Sequence, residues 1–410
     1  MKQCRDRQGA GRYSPTPIAS ERRGEIHSAK IEVQMVNPPL PSILSQSRTR
    51  VVFGMGTLSR LGALARGEGA NRVFLVTDPG IVAAGHVTRA VESIRAADLD
   101  VTVFDGVAEN PTTEHVEAGV AAANAAKVDF LVGLGGGSSL DCAKGINFIL
   151  TNGGRMQDYW GVGKATQAML PMIAVPTTAG TGSEAQSFAL ICDPVSHQKM
   201  ACGDKKAACR VAILDPDLTR TQPSKVAAAT GIDAVSHAVE TSATTKRNEI
   251  SLAFSREAWV RLDRSFERAM GDPSDDVARA DMLLGAHLAG CAIEHSMLGA
   301  AHACANPLTA RFGIVHGVAI GIVLPHVVRF NADRLATAYG ALAGTVDELL
   351  SRLAAMCQSA NLPTTLSELE IERGVIPALA AEAAKQWTAK FNPVPVEAAE
   401  LETIYKSALQ

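Results

Sequence analysis

The sequence lacks the features that mark membrane, secreted and nucleic-acid-binding proteins. Its most apolar stretch, residues 282–308, is interrupted by Glu and His, whereas a bilayer-spanning helix needs about 20 consecutive apolar residues. That stretch is instead expected to be a buried helix. No dense block of Lys and Arg occurs over residues 50–410 and the net charge is −3, which argues against nucleic acid or an anionic membrane as a partner.

Paired cysteines are also missing. The eight cysteines are scattered and include no CxxC motif. Such cysteines are typical of reduced thiols in a reducing compartment, so we expect a cytoplasmic protein without disulfides.

Residues 1–47 differ from the rest of the chain. Five arginines lie there among Gly, Ser and Pro without apolar periodicity, which predicts a disordered extension. No apolar core of a secretory signal is present. An organelle transit peptide, which would direct the protein to an organelle matrix, is the alternative; Asp6, Glu21 and Glu25 argue against it, because such peptides are poor in acidic residues.

The remaining composition is that of a compact enzyme with two domains. The chain has 410 residues, 47% hydrophobic and 20% charged, and exceeds the size at which one core usually keeps growing. Short β-branched runs alternate with Ala-rich helical periodicity over residues 48–222, which predicts a doubly wound parallel α/β domain. Residues 223–410 have helical spacing and few β-branched runs, which predicts an all-helical domain.

Four strands of the predicted sheet are apolar runs that end at turn residues. They cover residues 72–77, 101–104, 130–134 and 172–175, with helices expected to end near residues 97 and 127. Parallel sheets bind ligands at the carboxyl ends of their strands, so the loops after these strands are the candidate ligand-binding segments.

A glycine-rich loop follows the strand at 130–134 and precedes a predicted helix. Backbone N–H groups of glycines can approach an anion closely, and a helix N-terminus adds unpaired donors and partial positive charge. The spacing is not G-x-G-x-x-G, and a tight turn without a ligand is an alternative. The residues predicted to bind the pyrophosphate of a dinucleotide are Gly135, Gly136, Gly137 and Ser138, with Asp141 on the helix behind them.

A threonine-rich loop, Pro176 to Glu184, follows the strand at 172–175. Thr177, Thr178 and Thr181 stand there among small residues and offer hydroxyl and N–H donors that suit phosphate and ribose. The alternative is a loop that only caps the next helix. Two such loops at strand ends reinforce each other as a dinucleotide site.

Asp78 stands at the end of the strand at 72–77. A carboxylate there can accept hydrogen bonds from ribose hydroxyls and repels a 2′-phosphate, which favours NAD over NADP. The alternative is that Asp78 only begins the Asp-Pro-Gly turn.

One carboxylate and three imidazoles form a candidate metal site. Asp233 and His237 are four residues apart in a helical context and therefore share one face, while His302 lies in an apolar helix and His316 at a loop-to-helix turn. Buried imidazoles need partners, and a shared cation would provide one. The set suits Fe²⁺ or Zn²⁺. His295, seven residues before His302, is the competing ligand and is expected to be structural.

The chain resembles the iron-containing alcohol dehydrogenases over residues 50–410. The resemblance implies an N-terminal α/β domain that binds NAD(P), a C-terminal helical domain as in dehydroquinate synthase, and a metal in the cleft held by the four residues named above. It rests on collinear motifs at residues 53–56, 105–112, 135–144, 176–184, 231–240 and 302–326.

One position departs from the family. Many members carry a histidine four residues after the His302 position, where this chain has Asn306. We take His302 and Asn306 as the candidate catalytic residues. Asparagine can form hydrogen bonds but cannot titrate, so a proton relay through this side chain is excluded.

The resemblance implies an NAD-linked, metal-dependent oxidoreductase that interconverts a small alcohol and its aldehyde and forms homo-oligomers. Gln186 to Phe188 and Phe312 are expected near the substrate. Alternatives are a hydroxyacid–oxoacid transhydrogenase, a dehydroquinate synthase-like lyase, and a catalytically silent subunit. The lyase should need a Lys/Arg cluster beside the ligands, and the sequence offers none there.

Overall fold

The computed structural model describes residues 32–33, 40–195 and 198–410. Most of the predicted extension, residues 1–47, therefore lies outside the described residues. Its last part is structured: Ser42–Gln46 form a 3-10 helix, and Leu44 is fully buried in the core of the helical half. The ordered chain thus begins before residue 48, because an apolar side chain fixes this segment.

A seven-stranded sheet of parallel strands forms the N-terminal half, in the order β1-β2-β10-β7-β5-β3-β4. Alternate residues of its strands enter two separate cores, so that Val73 and Leu75 pack on one face and Phe74 and Val76 on the other. The strands of this sheet are β1 (Glu32–Val33), β2 (Arg50–Phe53), β3 (Arg72–Val76), β4 (Asp100–Phe104), β5 (Phe130–Gly135), β7 (Met172–Pro176) and β10 (Val211–Leu214).

Helices cover both faces of this sheet, as the predicted doubly wound architecture requires, and the predicted fold class is confirmed. Their bounds are α1 (Leu61–Gly67), α2 (Pro79–Ala83), α3 (His86–Ala96), α4 (Thr113–Ala126) and α5 (Gly137–Asn152).

A second sheet of three strands was not predicted. It consists of β6 (Gly161–Val162), β9 (Lys199–Gly203) and β8 (Phe188–Cys192), in that order, with β8 and β9 antiparallel. β6 has only two residues and β9 begins with a lysine, so neither is evident in the sequence, whereas β8 is a continuous apolar run that was not recognised as a strand. The sheet brings Phe188 and Lys199 to the edge of the cavity described below.

The C-terminal half is helical, and no helix of the described residues is long and apolar enough to cross a bilayer. The division at residues 222 and 223 stays a prediction. Its helices are α6 (Ser224–Ala243), α7 (Glu249–Gly271), α8 (Asp276–Glu294), α9 (Ala300–Phe312), α10 (His316–Ala343), α11 (Val346–Ser359), α12 (Ile376–Ala383) and α13 (Ala398–Ser407).

The single buried helix expected over residues 282–308 is two helices, and that expectation was wrong. The chain leaves α8 after Glu294 and starts α9 at Ala300, where the Glu240 carboxylate accepts a hydrogen bond from the N–H of Ala301. A side chain of α6 therefore satisfies a donor in the first turn of α9.

Candidate active site

A cavity of about 950 Å³ lies between the two halves. The loops after β3, β5 and β7 form one wall, and residues of α6, α8, α9 and α10 form the other. The carboxyl ends of parallel strands are the usual ligand side of such sheets. All predicted cofactor and metal residues line this cavity except Gly135.

The glycine-rich loop leads directly into α5, which begins at Gly137. A Cβ atom on Gly137 would lie 2.7 Å from the Thr181 side chain, so only glycine lets the two loops approach this closely. The Ser138 hydroxyl accepts a hydrogen bond from the N–H of Asn110 at 3.3 Å. Gly135 ends β5 with a φ of 149° and its carbonyl accepts from the N–H of Thr177, which places it behind the loop rather than on the cavity wall.

Asp78 caps α2 and touches the glycine-rich loop. Its carboxylate accepts hydrogen bonds from the N–H of Ile81 at 3.1 Å and from the Ser139 hydroxyl at 2.9 Å. The residue begins the Asp-Pro-Gly turn and also lines the cavity, so the capping role is observed and the ribose-binding role stays a prediction.

The threonine-rich loop runs against the helical half and not into a helix. After Thr181 the chain makes a 3-10 turn, Ser183–Ala185, and then enters β8. Gly182, with a φ of 61°, lies so close to Gly290 of α8 that a Cβ on Gly182 would be 2.6 Å from the Gly290 Cα. This close packing joins the cofactor wall to the opposite half.

A buried lysine fixes the two loops to each other. Lys144 of α5 donates to the backbone oxygen and hydroxyl of Ser183 and to the backbone oxygen of Phe188. The Ser183 hydroxyl in turn donates to Asp141 at 2.6 Å. Burial raises the pKa of Asp141, and the Lys144 ammonium opposes that rise. No role was predicted for Lys144 or Ser183, because the sequence around each shows only that it belongs to a loop motif.

A second buried link between the halves is an ion pair. His287 of α8 contacts the Glu184 carboxylate at 3.0 Å, and its other ring nitrogen lies 3.6 Å from the Cys291 sulfur. Burial alone would lower the pKa of His287, but Cys291 and Glu184 raise it to about 10. This direction of the pKa shift favours the charged imidazole, which suits pairing with the Glu184 carboxylate.

The four predicted metal ligands converge from three helices. The Asp233 Oδ1 atom lies 3.3 Å from His237 Nε2, 3.5 Å from His302 Nε2 and 3.9 Å from His316 Nε2. Candidate ligand atoms of the first three residues lie within 4.8 Å of one another. Asp233, His237 and His302 are buried, whereas the His316 side chain is 29% exposed.

The donor set fits a divalent cation. Asp233 Oδ1 and His302 Nε2 are both buried and have no hydrogen-bond partner among the described residues, a costly arrangement unless another group meets them. Burial would raise the pKa of Asp233, yet the surrounding imidazoles lower it below the usual range, and burial lowers the pKa of His237. An ionised carboxylate beside a neutral imidazole is the form in which these groups bind Fe²⁺ or Zn²⁺.

Glu240 orients His302. Its carboxylate contacts His302 Nδ1 and also accepts from the N–H of Ala301 at 2.8 Å. Burial would lower the pKa of His302, but the Glu240 carboxylate and Asp233 raise it to about 9. Such a carboxylate fixes the ring orientation and leaves Nε2 directed at the cluster. Sequence reasoning gave Glu240 no role, because a Glu on a helix is usually a surface residue.

Two other predicted residues lie elsewhere. The His295 ring stacks on Phe254 with centroids 5.7 Å apart and does not line the cavity, in agreement with a structural role. Phe312 is 42% exposed at the end of α9 and does not line the cavity either, so the expectation that it borders the substrate was wrong. It follows His302 by ten residues, which carries it past the cavity along the helix.

Asn306 lies on the cavity wall one helical turn beyond His302, and its amide donates to Gln386 Oε1 at 3.1 Å. Gln386, Trp387 and Thr388 arrive from the segment between α12 and α13. These three residues were not predicted to line the site, because no motif near them in the sequence indicates one. Lys199, also missed, lines the cavity and donates to Asn110 at 3.0 Å.

Comparison with known proteins decides the family. Residues 48–216 match the iron-containing alcohol dehydrogenase family, and residues 227–409 match the C-terminal region of the Fe-containing alcohol dehydrogenases. Alcohol dehydrogenase 4 of Schizosaccharomyces pombe is 34% identical over 87% of each chain.

The chain belongs to the iron-containing alcohol dehydrogenase family. Its family makes it an oxidoreductase that acts on alcohols or aldehydes, as predicted. Solved structures agree: that of a 1,3-propanediol oxidoreductase superposes with a TM-score of 0.84 at 30% identity, covering 88% of this chain and 97% of that one. A sulfoacetaldehyde reductase from Bifidobacterium kashiwanohense, solved with NAD⁺, gives a TM-score of 0.81 at 27% identity, covering 92% and 99%.

Proposed function

We propose that this iron-containing alcohol dehydrogenase holds Fe²⁺, or Zn²⁺ in its place, through Asp233, His237, His302 and His316, and uses NAD to interconvert a small alcohol and its aldehyde. The single observation that carries the proposal is the convergence of one carboxylate oxygen and three imidazole Nε2 atoms on a cavity that also contains the glycine-rich and threonine-rich loops. When bound, the cation supplies a Lewis acid for the substrate oxygen and NAD supplies the hydride acceptor.

The protein's own share is positioning and charge. The N-terminus of α5, with Gly136, Gly137 and Ser138, faces the cavity and suits the pyrophosphate. Thr177, Thr178 and Thr181 offer hydroxyls for phosphate or ribose. These residues would hold the dinucleotide in the cavity that the histidine cluster also lines, and positioning of this kind supplies much of the rate in hydride transfer.

The Asp78 carboxylate is proposed to accept from the adenosine ribose. Its contacts with Ile81 and Ser139 keep it in place at the end of β3. A fixed negative charge repels a 2′-phosphate, which supports NAD as the preferred dinucleotide over NADP. Asn306 can hold a polar group but cannot move a proton, so proton transfer uses other groups.

The reaction type, the assembly, the location and the substrate are also matters of proposal. A transhydrogenase that retains its NAD is the second candidate function, and multiple turnovers with free NAD⁺ would exclude it. We also propose a homo-oligomer, as is common in the family, and a cytoplasmic protein without nucleic-acid or membrane partners, which the scattered cysteines and the lack of a basic block support. The relatives include enzymes named for methanol, lactaldehyde and 1,3-propanediol, so the family alone leaves the substrate open.

The test is turnover by metal-depleted protein after anaerobic reloading. We expect NADH formation from NAD⁺ and a panel of short alcohols with Fe²⁺ or Zn²⁺ added, and none without metal. Asp233→Ala should retain neither metal nor activity while NADH still binds. Asp347→Ala, an exposed carboxylate on α11, is the matched control and should behave as the wild type. Full activity of Asp233→Ala after chelation would refute the ligand assignment.

A further inference from the structure

The helix that carries the proposed ligand His302 begins without a cap from its own sequence. α9 starts at Ala300, and the residue before it is Gly299, which has no side chain to accept a hydrogen bond. The first N–H groups of a helix have no partner inside the helix and need acceptors from elsewhere. His302 is the third residue of α9, so the groups that meet these donors also fix the backbone of this ligand.

Two side chains from distant parts of the chain supply the missing acceptors. Glu240 of α6 accepts from the N–H of Ala301 at 2.8 Å, and Asn392 Oδ1 accepts from the N–H of Ala300 at 3.4 Å. A Cβ atom on Gly299 would lie 3.1 Å from Glu240 Oε1 and 3.3 Å from Asn392 Oδ1, so both acceptors lie at the start of the helix. The first turn of α9 is therefore capped by tertiary contacts.

Asn392 is held in one orientation by a buried amide pair. Its Oδ1 atom also accepts from Asn331 Nδ2 at 3.0 Å, and its Nδ2 atom donates to Asn331 Oδ1 at 2.9 Å and to the backbone oxygen of Val394 at 2.7 Å. Asn392 is 5% exposed and Asn331 is 1% exposed. Because reversal of the Asn392 amide would break all of these bonds, the network keeps the oxygen directed at α9.

The C-terminal segment, residues 386–405, also holds the part of α9 that follows the metal ligand. Tyr405 of α13 is fully buried, and its hydroxyl donates to the backbone oxygen of Cys304 at 2.6 Å. Gln386 Oε1 accepts from Asn306 Nδ2 at 3.1 Å. Together with Asn392, these contacts hold α9 on both sides of the ligand.

The C-terminal segment is fixed to the other helix of the metal cluster as well. The backbone oxygen of Phe391 accepts from the N–H of Thr245 at 2.8 Å and from the Thr244 hydroxyl at 3.2 Å, just beyond the end of α6. α6 carries Asp233 and His237. The segment thus contacts both helices that supply the three buried ligands. Metal–ligand distances tolerate changes of only about 0.2 Å, so a small shift between these helices would weaken metal binding.

We propose that the C-terminal segment positions His302 for the cation, with Asn392 and Tyr405 as the positioning residues. This inference rests on the proposed function, because it concerns the affinity of the same metal site. Neither side chain lines the cavity, so each acts on the site through the backbone of α9. Ligands that the surrounding structure already holds in place bind a metal more tightly than ligands that must first be ordered.

The test is the Zn²⁺ affinity of the full-length protein, measured by competition with a chelator. Asn392→Leu removes the acceptor for Ala300 at similar side-chain volume, and we expect about tenfold weaker binding, the lower end of the usual effect of groups that orient metal ligands. Tyr405→Phe removes one hydroxyl and keeps the ring, so it tests the inference even where Asn392→Leu does not fold. We expect about threefold weaker binding, within the range of one neutral hydrogen bond.

Matched controls remove the same kinds of bond in the N-terminal half. Tyr159→Phe deletes a hydroxyl that donates to the backbone oxygen of Gly153 at 2.8 Å. Asn147→Leu deletes a buried amide that bonds both backbone groups of Leu170. Neither control residue lines the cavity. Both controls should lower the denaturation midpoint of the metal-free protein as their counterparts do, yet keep the Zn²⁺ affinity of the wild type.

Wild-type Zn²⁺ affinity in Asn392→Leu, or in Tyr405→Phe where Asn392→Leu does not fold, would overturn the inference. An equal loss of affinity in the two controls would overturn it too, because the effect would then follow from destabilisation alone. The wild type separates the two levels of the argument. If it binds Zn²⁺ tightly and the variants do as well, only this inference is refuted, whereas a wild type that binds no Zn²⁺ refutes the proposed function.

Discussion

The two walls of the cavity are built by different means. On the cofactor wall, polar side chains already have partners within the protein: Asp78 bonds Ile81 and Ser139, and Asp141 bonds Ser183. On the metal wall, buried Asp233 Oδ1 and His302 Nε2 have no hydrogen-bond partner in the part of the chain that the structure describes. The comparison indicates that the cofactor wall is complete in the folded chain, while the metal wall holds polar atoms that a cation would satisfy.

The largest effect, on the free energy of unfolding, is expected from breaking the buried ion pair between the two walls. His287→Leu removes one partner of the buried ion pair with Glu184, which joins the helical half to the threonine-rich loop. Leaving one such charge unpaired costs about 3–5 kcal/mol of unfolding free energy. Chemical denaturation at neutral pH measures it, and a loss under about 1 kcal/mol would contradict a charged pair.

The same pair gives a pH dependence of stability. The pKa of His287, about 10 in the folded protein, lies above the usual 6.5 of histidine. The stabilisation by the pair is therefore fully present below pH 6.5 and is lost as the pH rises through 10. The wild type should lose stability over this window, and His287→Leu should lack that component. If the free energies of unfolding of the two proteins change with pH in the same way, His287 is uncharged in the folded protein.

An intermediate effect is expected from the residue behind the metal wall. Glu240→Gln keeps the shape of the side chain but removes the charge that orients His302. Loss of such a supporting carboxylate typically weakens metal affinity about 10–100-fold. Competition with a chelator measures it. Glu402→Gln, a half-buried residue of α13 that pairs with Lys406 and does not line the cavity, serves as control, and equal metal affinity of both variants would refute the role of Glu240.

The smallest effect is expected on the cofactor wall. Gly137→Ala places a methyl group 2.7 Å from Thr181 and should shift the glycine-rich loop, raising the KM for NAD about tenfold with metal affinity unchanged. Gly340→Ala, where a Cβ meets nothing within 4 Å, is the control. Lower metal affinity of Gly137→Ala would contradict a role of the glycine-rich loop in cofactor binding alone.

The contrast between the walls also explains what the sequence could predict. The main sheet was predictable because its buried strands are continuous apolar runs, and the glycine-rich and threonine-rich loops follow those runs directly. The convergence of Asp233, His237 and His302 was predictable because Asp233 and His237 are one helical turn apart and histidines are rare in Ala-rich helices. Both signals are local in the sequence.

What could not be predicted depends on contacts between distant segments. Glu240 becomes a partner of His302 only after α6 and α9 pack together. Gln386 and Thr388 reach the cavity from near the end of the chain, and Lys199 reaches it through a small sheet whose strands pair only in the folded chain. The break between α8 and α9 likewise reflects a tertiary contact, because Glu240 satisfies the N–H of Ala301.

The most direct test of the central claim is an anomalous difference map at the iron absorption edge from crystals of the Fe²⁺-loaded protein. The account predicts one strong peak at about 2.0–2.2 Å from Asp233 Oδ1 and from the Nε2 atoms of His237, His302 and His316. A peak at another place, or a peak that these four atoms do not surround, would contradict it.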